Sequence, residues 1–277
     1  MITLVDVLNR LRAGDVTLKT LTPQLINPDA LFVGNNAVVC RCRVAGTECA
    51  LKCYAGHRRN ARAIYGDAYH EAELAVYSLS GDVEWVDVVA TPWVEGVSLD
   101  RLMGRAKTDY RMLSERFDAF ALDILRGESA HGDIKPENVI LTLDNSLRLI
   151  DYDSAWLPGF TDKDLEETGT PTFSHPMRDE RPFDKYIDDF SIALMSTMFA
   201  ALALRREVFE PYIDADSSLF SPRAVVAGSD AMLNKALSLF ERKSDARHYA
   251  IARALYASDG AIPNLSDLLD PYSQQPI

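Results

Sequence analysis

The sequence predicts an α+β protein of two lobes, in which an antiparallel sheet comes first and helices follow. Three observations lead to this prediction. Residues 30–54 and 83–94 are rich in strand-forming side chains and are interrupted by short turns. Beyond Gly96 the apolar residues recur at helical spacing. The chain has 277 residues, which is enough for two lobes that each bury a core.

Local patterns predict the elements of the first third of the chain. The apolar residues within 3–13 fall on one helical face. This pattern predicts a short amphipathic helix with Thr3 as its N-cap and Gly14 just beyond its end. Three strands separated by glycine-containing turns are expected next. Residues 65–79 are expected to form a helix before two further strands. The first three expected strands cover residues 31–33, 37–44 and 49–54.

The rest of the chain is expected to be mainly helical. Apolar residues at 113–125 form a single stripe, and residues 189–204 are apolar on nearly all sides, which predicts a deeply buried helix. Residues 139–141 and 147–150 flank Asp144-Asn145, a pattern typical of a hairpin. Further helices are expected at 231–240 and 248–256.

Composition limits the classes of partner. The chain carries 41 Asp+Glu against 29 Lys+Arg, and this net charge of -12 argues against nucleic acid or an anionic membrane as the main partner. The longest apolar stretch, residues 192–204, is too short for a bilayer, so no membrane insertion is expected. The N-terminus lacks the pattern of a secretory signal, so we expect a cytoplasmic location.

The cysteines lie close together in the chain and do not resemble a disulfide framework, which fits a reducing compartment. They are Cys40, Cys42, Cys49 and Cys53. Strand alternation places all four on one face of the sheet, opposite to the face of Ala50 and Lys52. We expect an apolar patch that is covered by the helix at residues 3–13. A zinc site is the alternative, although the spacing is not a standard one for zinc ligands.

The most informative stretch is residues 131–138, which read His-Gly-Asp-Ile-Lys-Pro-Glu-Asn. Asp133 could accept a proton from an attacking hydroxyl, and Lys135 could neutralise charge on a transferring phosphoryl group. Asn138 and Asp151, thirteen residues apart, supply oxygen ligands that suit Mg²⁺. Phosphoryl transfer depends on this combination of positioning and charge stabilisation.

The string at 131–138 resembles the catalytic loop of eukaryotic-type (Hanks-type) Ser/Thr protein kinases, and Asp151-Tyr152-Asp153 resembles their metal-binding Asp-Phe-Gly. The resemblance covers about residues 30–256. Two shorter pieces, at 34–39 and 93–100, are also similar to a group of uncharacterised bacterial kinase-like proteins. The resemblance implies a protein-kinase-like bilobal fold that uses ATP and Mg²⁺ and acts on a protein substrate. The implied parts are an extension packed on the small lobe at 1–29, a small lobe at 30–91, a hinge at 92–96 and a large lobe at 97–277.

The resemblance also implies roles for individual residues. Lys52 would hold the α- and β-phosphates, and Glu71, on the helix expected at 65–79, would be its ion-pair partner. Glu73 is the competing carboxylate, but it would lie about 160° further round that helix. The other residues implied to contact ATP are Gly34, Val39, Ala50, Thr91, Pro92, Val94 and Ser98. The residues implied to perform or support catalysis are Asp133, Lys135 and Asn138, with Asn138 and Asp151 on the metal and His131, Thr170 and Asp188 supporting the site.

Two departures from the family pattern concern phosphate recognition. The loop at 34–39 is short and carries one glycine, so Lys52 is expected to make more of the phosphate contact. Gly132 stands where the family has an arginine that reads a phosphate on the activation segment. Its absence predicts an activity that does not require such phosphorylation.

Two further departures lie beyond the catalytic loop. Asp153 replaces the glycine of Asp-Phe-Gly, and we expect its side chain to face solvent, with a second cation as the alternative. Met177 replaces a glutamate that normally pairs with a later arginine, so Arg247 is expected to lack its usual partner.

Three functions remain open on the sequence alone. The leading hypothesis is transfer of the ATP γ-phosphoryl group to a Ser/Thr hydroxyl of a protein. A small-molecule kinase on the same fold is the first alternative, because small-molecule phosphotransferases also carry His-Gly-Asp. A pseudokinase scaffold is the second, because the glycine loop is degenerate. The oligomeric state is left open.

Overall fold

The computed structural model describes residues 2–14, 16–22, 24–25, 31–78, 81–103, 105–256 and 258–270. The fold is α+β, and the chain divides into two compact units, Met1–Val94 and Glu95–Ile277. The division falls inside the stretch 92–96. The predicted boundaries at residues 29, 30 and 277 lie outside the described residues. Within the described part of the chain, no helix has both the length and the apolar character needed to cross a membrane.

The first unit is mainly an antiparallel sheet. β1 and β2 both pair with the same edge of β3, one after the other. On the other side of β3, the sheet continues in the order β4, β6, β5. The strands are β1 (Gln24–Leu25), β2 (Leu31–Val33), β3 (Ala37–Val44), β4 (Thr47–Tyr54), β5 (Tyr69–Tyr77) and β6 (Val83–Pro92). The helices are α1 (Leu4–Ala13) and α2 (Ala61–Tyr65). The predicted hairpin between β3 and β4 is confirmed, and its turn residues Ala45 and Gly46 both have positive φ, as a two-residue turn requires.

The prediction of a helix at residues 65–79 is wrong. Between β4 and β5, helical structure is limited to α2 and one 3₁₀ turn. The chain from Tyr69 to Tyr77 forms strand β5, which pairs with β6. Alanine, glutamate and leucine favour a helix locally, but pairing with a neighbouring strand overrides that preference. The pairing register shifts between His70 and Leu74, and Ala72 takes a left-handed φ of 46° there. Residue 79 lies outside the described residues.

Helix α1 covers the cysteine face of the sheet, as expected. Thr3 and Asp6 form a capping box at the start of α1, and Gly14 ends the helix in the left-handed conformation. Val7 and Leu11 are fully buried in the same apolar cluster as the four cysteines. All four thiols are free and buried, and no metal-ligating cluster of His, Cys, Asp and Glu occurs among the described residues.

The second unit is mainly helical. Its longest helix, α5, is buried along most of its length, as its apolar sequence predicts. The helices are α3 (Leu99–Met103), α4 (Tyr110–Leu125), α5 (Asp189–Phe209), α6 (Pro222–Val226), α7 (Ala231–Lys243), α8 (Ala246–Ala254) and α9 (Leu265–Leu269). The strands β7 (Gly96–Ser98), β8 (Val139–Thr142) and β9 (Leu147–Leu149) form a small antiparallel sheet. The predicted hairpin at Asp144-Asn145 joins β8 to β9, and Asn145 has a φ of 61°.

Candidate active site

The predicted catalytic loop lies between α4 and β8, and its path depends on Gly132. This glycine has a φ of 79°, and a Cβ at this position would overlap the carbonyl oxygen of Ser154. A larger residue would therefore require the loop or the chain at Ser154 to move. The departure from the arginine of the family pattern thus has a local steric reason.

Asp133 lies at the centre of a hydrogen-bonded cluster. Its Oδ1 accepts a bond from the Thr170 backbone N–H at 2.7 Å, and its Oδ2 accepts one from Asn138 Nδ2 at 3.0 Å. Lys135 Nζ lies 2.9 Å from the same Oδ2. Two residues of the same short loop and one residue of a later segment therefore orient a single carboxylate.

The segment that contains Thr170 approaches the catalytic loop closely. Lys135 Nζ donates to Thr170 Oγ1 at 2.6 Å. Gly169 has a φ of 74°, and a Cβ there would lie 2.5 Å from the Gly132 carbonyl oxygen. The glycines at 132 and 169 thus permit the backbone approach that brings Thr170 to Asp133 and Lys135.

Asp188 supports the loop from the start of α5. Its Oδ2 accepts a hydrogen bond from the His131 N–H at 2.6 Å, and its Oδ1 accepts one from the Gly132 N–H at 2.8 Å. The side chain is 1% exposed, and this burial raises the pKa of Asp188. Since the carboxylate does not bond to backbone N–H groups of α5, its contact is with the catalytic loop.

The His131 ring makes two contacts with the chain that follows β9. Its Nε2 lies 3.0 Å from the Ile150 carbonyl oxygen, and its ring packs edge-on against Tyr152 at 4.8 Å between centroids. These contacts link the catalytic loop to the chain that follows β9. They give His131 a supporting place in the site.

The two residues expected to hold a metal offer suitable oxygen atoms. Asn138 directs its Nδ2 at Asp133, and this orientation leaves its amide oxygen as the ligand atom. Asp151 is exposed and has a φ of 66°, which is unusual for a residue other than glycine. An amide oxygen and a carboxylate suit Mg²⁺, which completes its coordination with water and phosphate oxygens. The expectation that Asp153 faces solvent is wrong, because that residue is 9% exposed.

In the first unit, four of the residues implied to contact ATP share one face of the sheet. Val39 lies directly opposite Lys52 across β3 and β4, and Ala50 lies opposite Thr91 across β4 and β6. All four side chains are half-buried. Gly34 closes the turn before β3 with its N–H on the Ala37 carbonyl at 2.9 Å, but its backbone does not require glycine.

Glu71 is not on a helix, so the predicted basis for its pairing with Lys52 is wrong. The residue is exposed on β5. The Lys52 ammonium lies 5.4 Å from the centroid of the Tyr54 ring. Glu73 is buried and accepts hydrogen bonds from the backbone N–H groups of Thr20 and Leu21, both at 2.7 Å.

The remaining residues implied to contact ATP lie in both units. Pro92 ends β6 opposite Cys49, and Val94 is the last residue of the first unit. Ser98 ends β7 opposite Ile140 in the second unit.

Arg247 has a partner other than the glutamate that the resemblance implies. Its guanidinium lies 2.9 Å from the Asp118 carboxylate on α4, which also accepts hydrogen bonds from Ser196 and His248. Met177, at the position of the family's glutamate, is 49% exposed. Arg247 therefore pairs with a carboxylate on α4 and not with position 177.

Sequence patterns did not reveal two structural features. Asp87 is buried on β6 and belongs to no motif, yet its carboxylate accepts a hydrogen bond from the chain between β4 and β5. An open groove of about 680 Å³ also lies beside Pro171 and Thr172, with Asp179, Asp214 and Asp216 among its lining residues. These groups come together only through the path of the folded chain.

Comparisons with known proteins do not assign the chain to a family. No model of a known protein family matches the chain, and no curated protein matches it at a significant level.

Proposed function

We propose that this protein is a Mg·ATP-dependent phosphotransferase, and specifically a Ser/Thr protein kinase. The observation that carries the proposal is the arrangement around Asp133, whose two carboxylate oxygens bond to Thr170 and Asn138 while Lys135 lies 2.9 Å away. A carboxylate held in this way can orient an acceptor hydroxyl and accept its proton. The adjacent ammonium can stabilise the negative charge that develops during transfer.

The remaining roles follow from the metal-ligand atoms or the positive charge that each residue offers. Asn138 and Asp151 would hold Mg²⁺, and Lys52 would contact the phosphates of ATP. When bound, Mg·ATP supplies the phosphoryl group and neutralises part of its charge. Asp188 keeps the catalytic loop in place through the N–H groups of His131 and Gly132.

A protein acceptor has room in the groove beside Thr170. The groove is about 680 Å³ in volume and is lined by residues from several segments of the second unit. A segment of polypeptide fits a cleft of this size, and the choice between a protein and a small molecule rests on the test below. The four buried free cysteines fit a reducing compartment, so we also propose a cytoplasmic location.

The test is phosphate transfer from labelled Mg·ATP to a degenerate Ser/Thr peptide library and, separately, to a panel of hydroxylated small molecules. Asp133→Asn should abolish transfer and leave nucleotide binding intact, because the amide cannot accept the proton and keeps only one of the two acceptor oxygens. Asp123→Asn, an exposed position on α4, is the matched control.

Each outcome separates the hypotheses. Transfer to peptides that is lost only in Asp133→Asn supports the proposal. Transfer to small molecules alone would identify a small-molecule kinase, and nucleotide binding without transfer to either acceptor would identify a scaffold. Unchanged turnover in Asp133→Asn would contradict the role assigned to this carboxylate.

A further inference from the structure

Arg178 lies in a short 3₁₀ turn ahead of α5, and its side chain is buried. The residue is 5% exposed, and among the described residues no group accepts a hydrogen bond from its Nε, Nη1 or Nη2 atom. Its guanidinium carbon lies 5.5 Å from the centroid of the Phe183 ring, whose face attracts the positive charge. A guanidinium stays protonated in proteins and carries N–H donors on all three nitrogens. Burying such a group is costly unless an acceptor compensates its charge and its donors.

In the part of the chain that the structure describes, the carboxylates around Arg178 act on its charge but accept none of its side-chain N–H groups. They belong to Asp188, Asp184 and Asp179. Burial lowers the pKa of Arg178, and these carboxylates raise it. Both oxygens of Asp188 accept N–H groups of the catalytic loop. Asp184 Oδ1 accepts the Tyr186 N–H at 2.9 Å, and Asp179 is exposed. The donors of Arg178 are therefore left to a ligand.

Arg178 lines a small cavity, whose walls come from the segment before α5, from α5 itself and from the chain at Gly260. The cavity offers about 10 Å³ to the centre of a water-sized sphere, which is about the space that one water molecule needs. Its occupant is therefore a single small particle. Phosphate, sulfate and organic anions are too large for this space.

His175 also lines the cavity, but it contributes neither a charge nor an unused acceptor. Its Nδ1 accepts the Met177 N–H at 3.2 Å, so we assign the proton of the neutral ring to Nε2. Nε2 then donates to the Ser258 carbonyl oxygen at 2.9 Å. Burial lowers the pKa of His175, which favours the neutral ring.

The other ionisable residues of the lining are Arg181 and Asp184. Arg181 pairs with the exposed Asp259 at 3.3 Å, and its charge lowers the pKa of Arg178 because like charges oppose each other. Two arginines and one aspartate therefore line the cavity, and N–H donors outnumber acceptors among their side chains. This lining suits an occupant that accepts hydrogen bonds and carries negative charge.

We propose that the cavity is a binding site for one small monatomic anion, such as chloride, which accepts hydrogen bonds from the Arg178 guanidinium. Such an anion compensates the buried charge, whereas a water molecule would bring donors of its own and no charge. Ile187 and Phe190, on either side of Asp188, also line the cavity. A bound anion would therefore stabilise the start of α5, from which Asp188 holds the catalytic loop. The inference does not depend on the proposed function.

The experiment compares the thermal midpoint of the full-length chain in chloride and in gluconate, at equal ionic strength and pH. An anion that binds only the folded protein raises the midpoint in a saturable way, by about 2–5 °C at about ten times its dissociation constant. Gluconate is too large for the cavity and should give no such rise. Arg178→Met keeps an apolar stem but loses the N–H donors, so its midpoint should not respond to chloride. Arg223→Met is the matched control, because Arg223 is an exposed arginine of the same unit.

Crystals of the unaltered protein soaked in bromide give a second readout. An anomalous peak within hydrogen-bond distance of the Arg178 nitrogens, together with a chloride-dependent midpoint, supports the inference. Equal midpoints in chloride and gluconate would overturn it, and so would a cavity that holds water and shows no anomalous peak. A chloride response that survives in Arg178→Met would place the anion elsewhere and contradict the inference. If Arg178→Met does not fold, the two measurements on the unaltered protein decide.

Discussion

At the scale of single residues, Gly132 decides the geometry of the catalytic loop. Its N–H donates to Asp188, its φ is positive, and the space beside it is filled by the backbone at Ser154. The same residue precedes Asp133, so a change at position 132 is transmitted directly to the proposed catalytic carboxylate. A glycine here is a requirement of the chain path and does not depend on the proposed function.

Replacing Gly132 with alanine should therefore reduce both stability and transfer. Strain of this kind is worth about 1–3 kcal/mol, which corresponds to a fall of about 2–10 °C in the thermal midpoint for a protein of this size. Gly159→Ala is the matched control, because Gly159 has a φ of 98° but nothing within 4 Å of the added Cβ. Equal melting temperatures for the two variants would show that the approach of Ser154 does not matter.

At the scale of elements, local signals predicted α1 and α5 but not β5. The capping box at Thr3, the glycine at position 14 and one apolar face are all contained within ten or so residues, so they can be read from the sequence. β5 has a helix-favouring composition, and it is a strand because β6 lies beside it. The expectation that Glu71 lies on a helix was wrong for the same reason.

A second element-scale feature is the buried polar network that joins α4, α5 and α8. The Asp118 carboxylate, 3% exposed, accepts bonds from Ser196 and His248 and pairs with Arg247. Burial lowers the pKa of His248, but hydrogen bonds to Asp118 and Asp245 outweigh burial and raise that pKa to about 9. The protonated ring therefore stabilises the fold fully below its unfolded pKa, and this contribution is lost as the pH rises through about 9.

Asp118→Ala should destabilise the second unit strongly, because it leaves the buried His248 and the half-buried Arg247 without their shared carboxylate. Breaking such a pair costs about 3–5 kcal/mol, which predicts a fall in the thermal midpoint on the order of 10 °C near neutral pH. Asp123→Ala, exposed on the same helix, should change the midpoint little. The difference between the two variants should shrink above pH 9, and a loss that is constant with pH would contradict the role of the charged imidazole.

At the scale of the whole molecule, each unit has its own core and its own set of proposed functional residues. The second unit's share could be predicted because residues 131–138 are contiguous and carry a recognisable order of chemical groups. The first unit's share depends on how residues 55–69 run across the sheet, and no local pattern encodes that path. Asp87 and Arg58 illustrate this, since they are 29 residues apart and meet only in the folded chain.

The last prediction concerns the cover that α1 provides for the cysteine face. Burial raises the pKa of Cys40 to about 12 and that of Cys42 to about 11, so their thiols should react slowly near neutral pH. Leu11→Asp places a charge in the fully buried contact between α1 and the sheet, so it should detach α1 and raise the rate of thiol labelling by a disulfide reagent.

Val5→Asp is the matched control, because Val5 lies on the same helix but is 61% exposed. It should label at the rate of the unaltered protein, and deletion of residues 1–15 should label as fast as Leu11→Asp. If the deletion leaves the labelling rate unchanged, α1 does not protect the thiols. If both aspartate variants label equally fast, loss of helix stability rather than loss of the buried contact explains the effect.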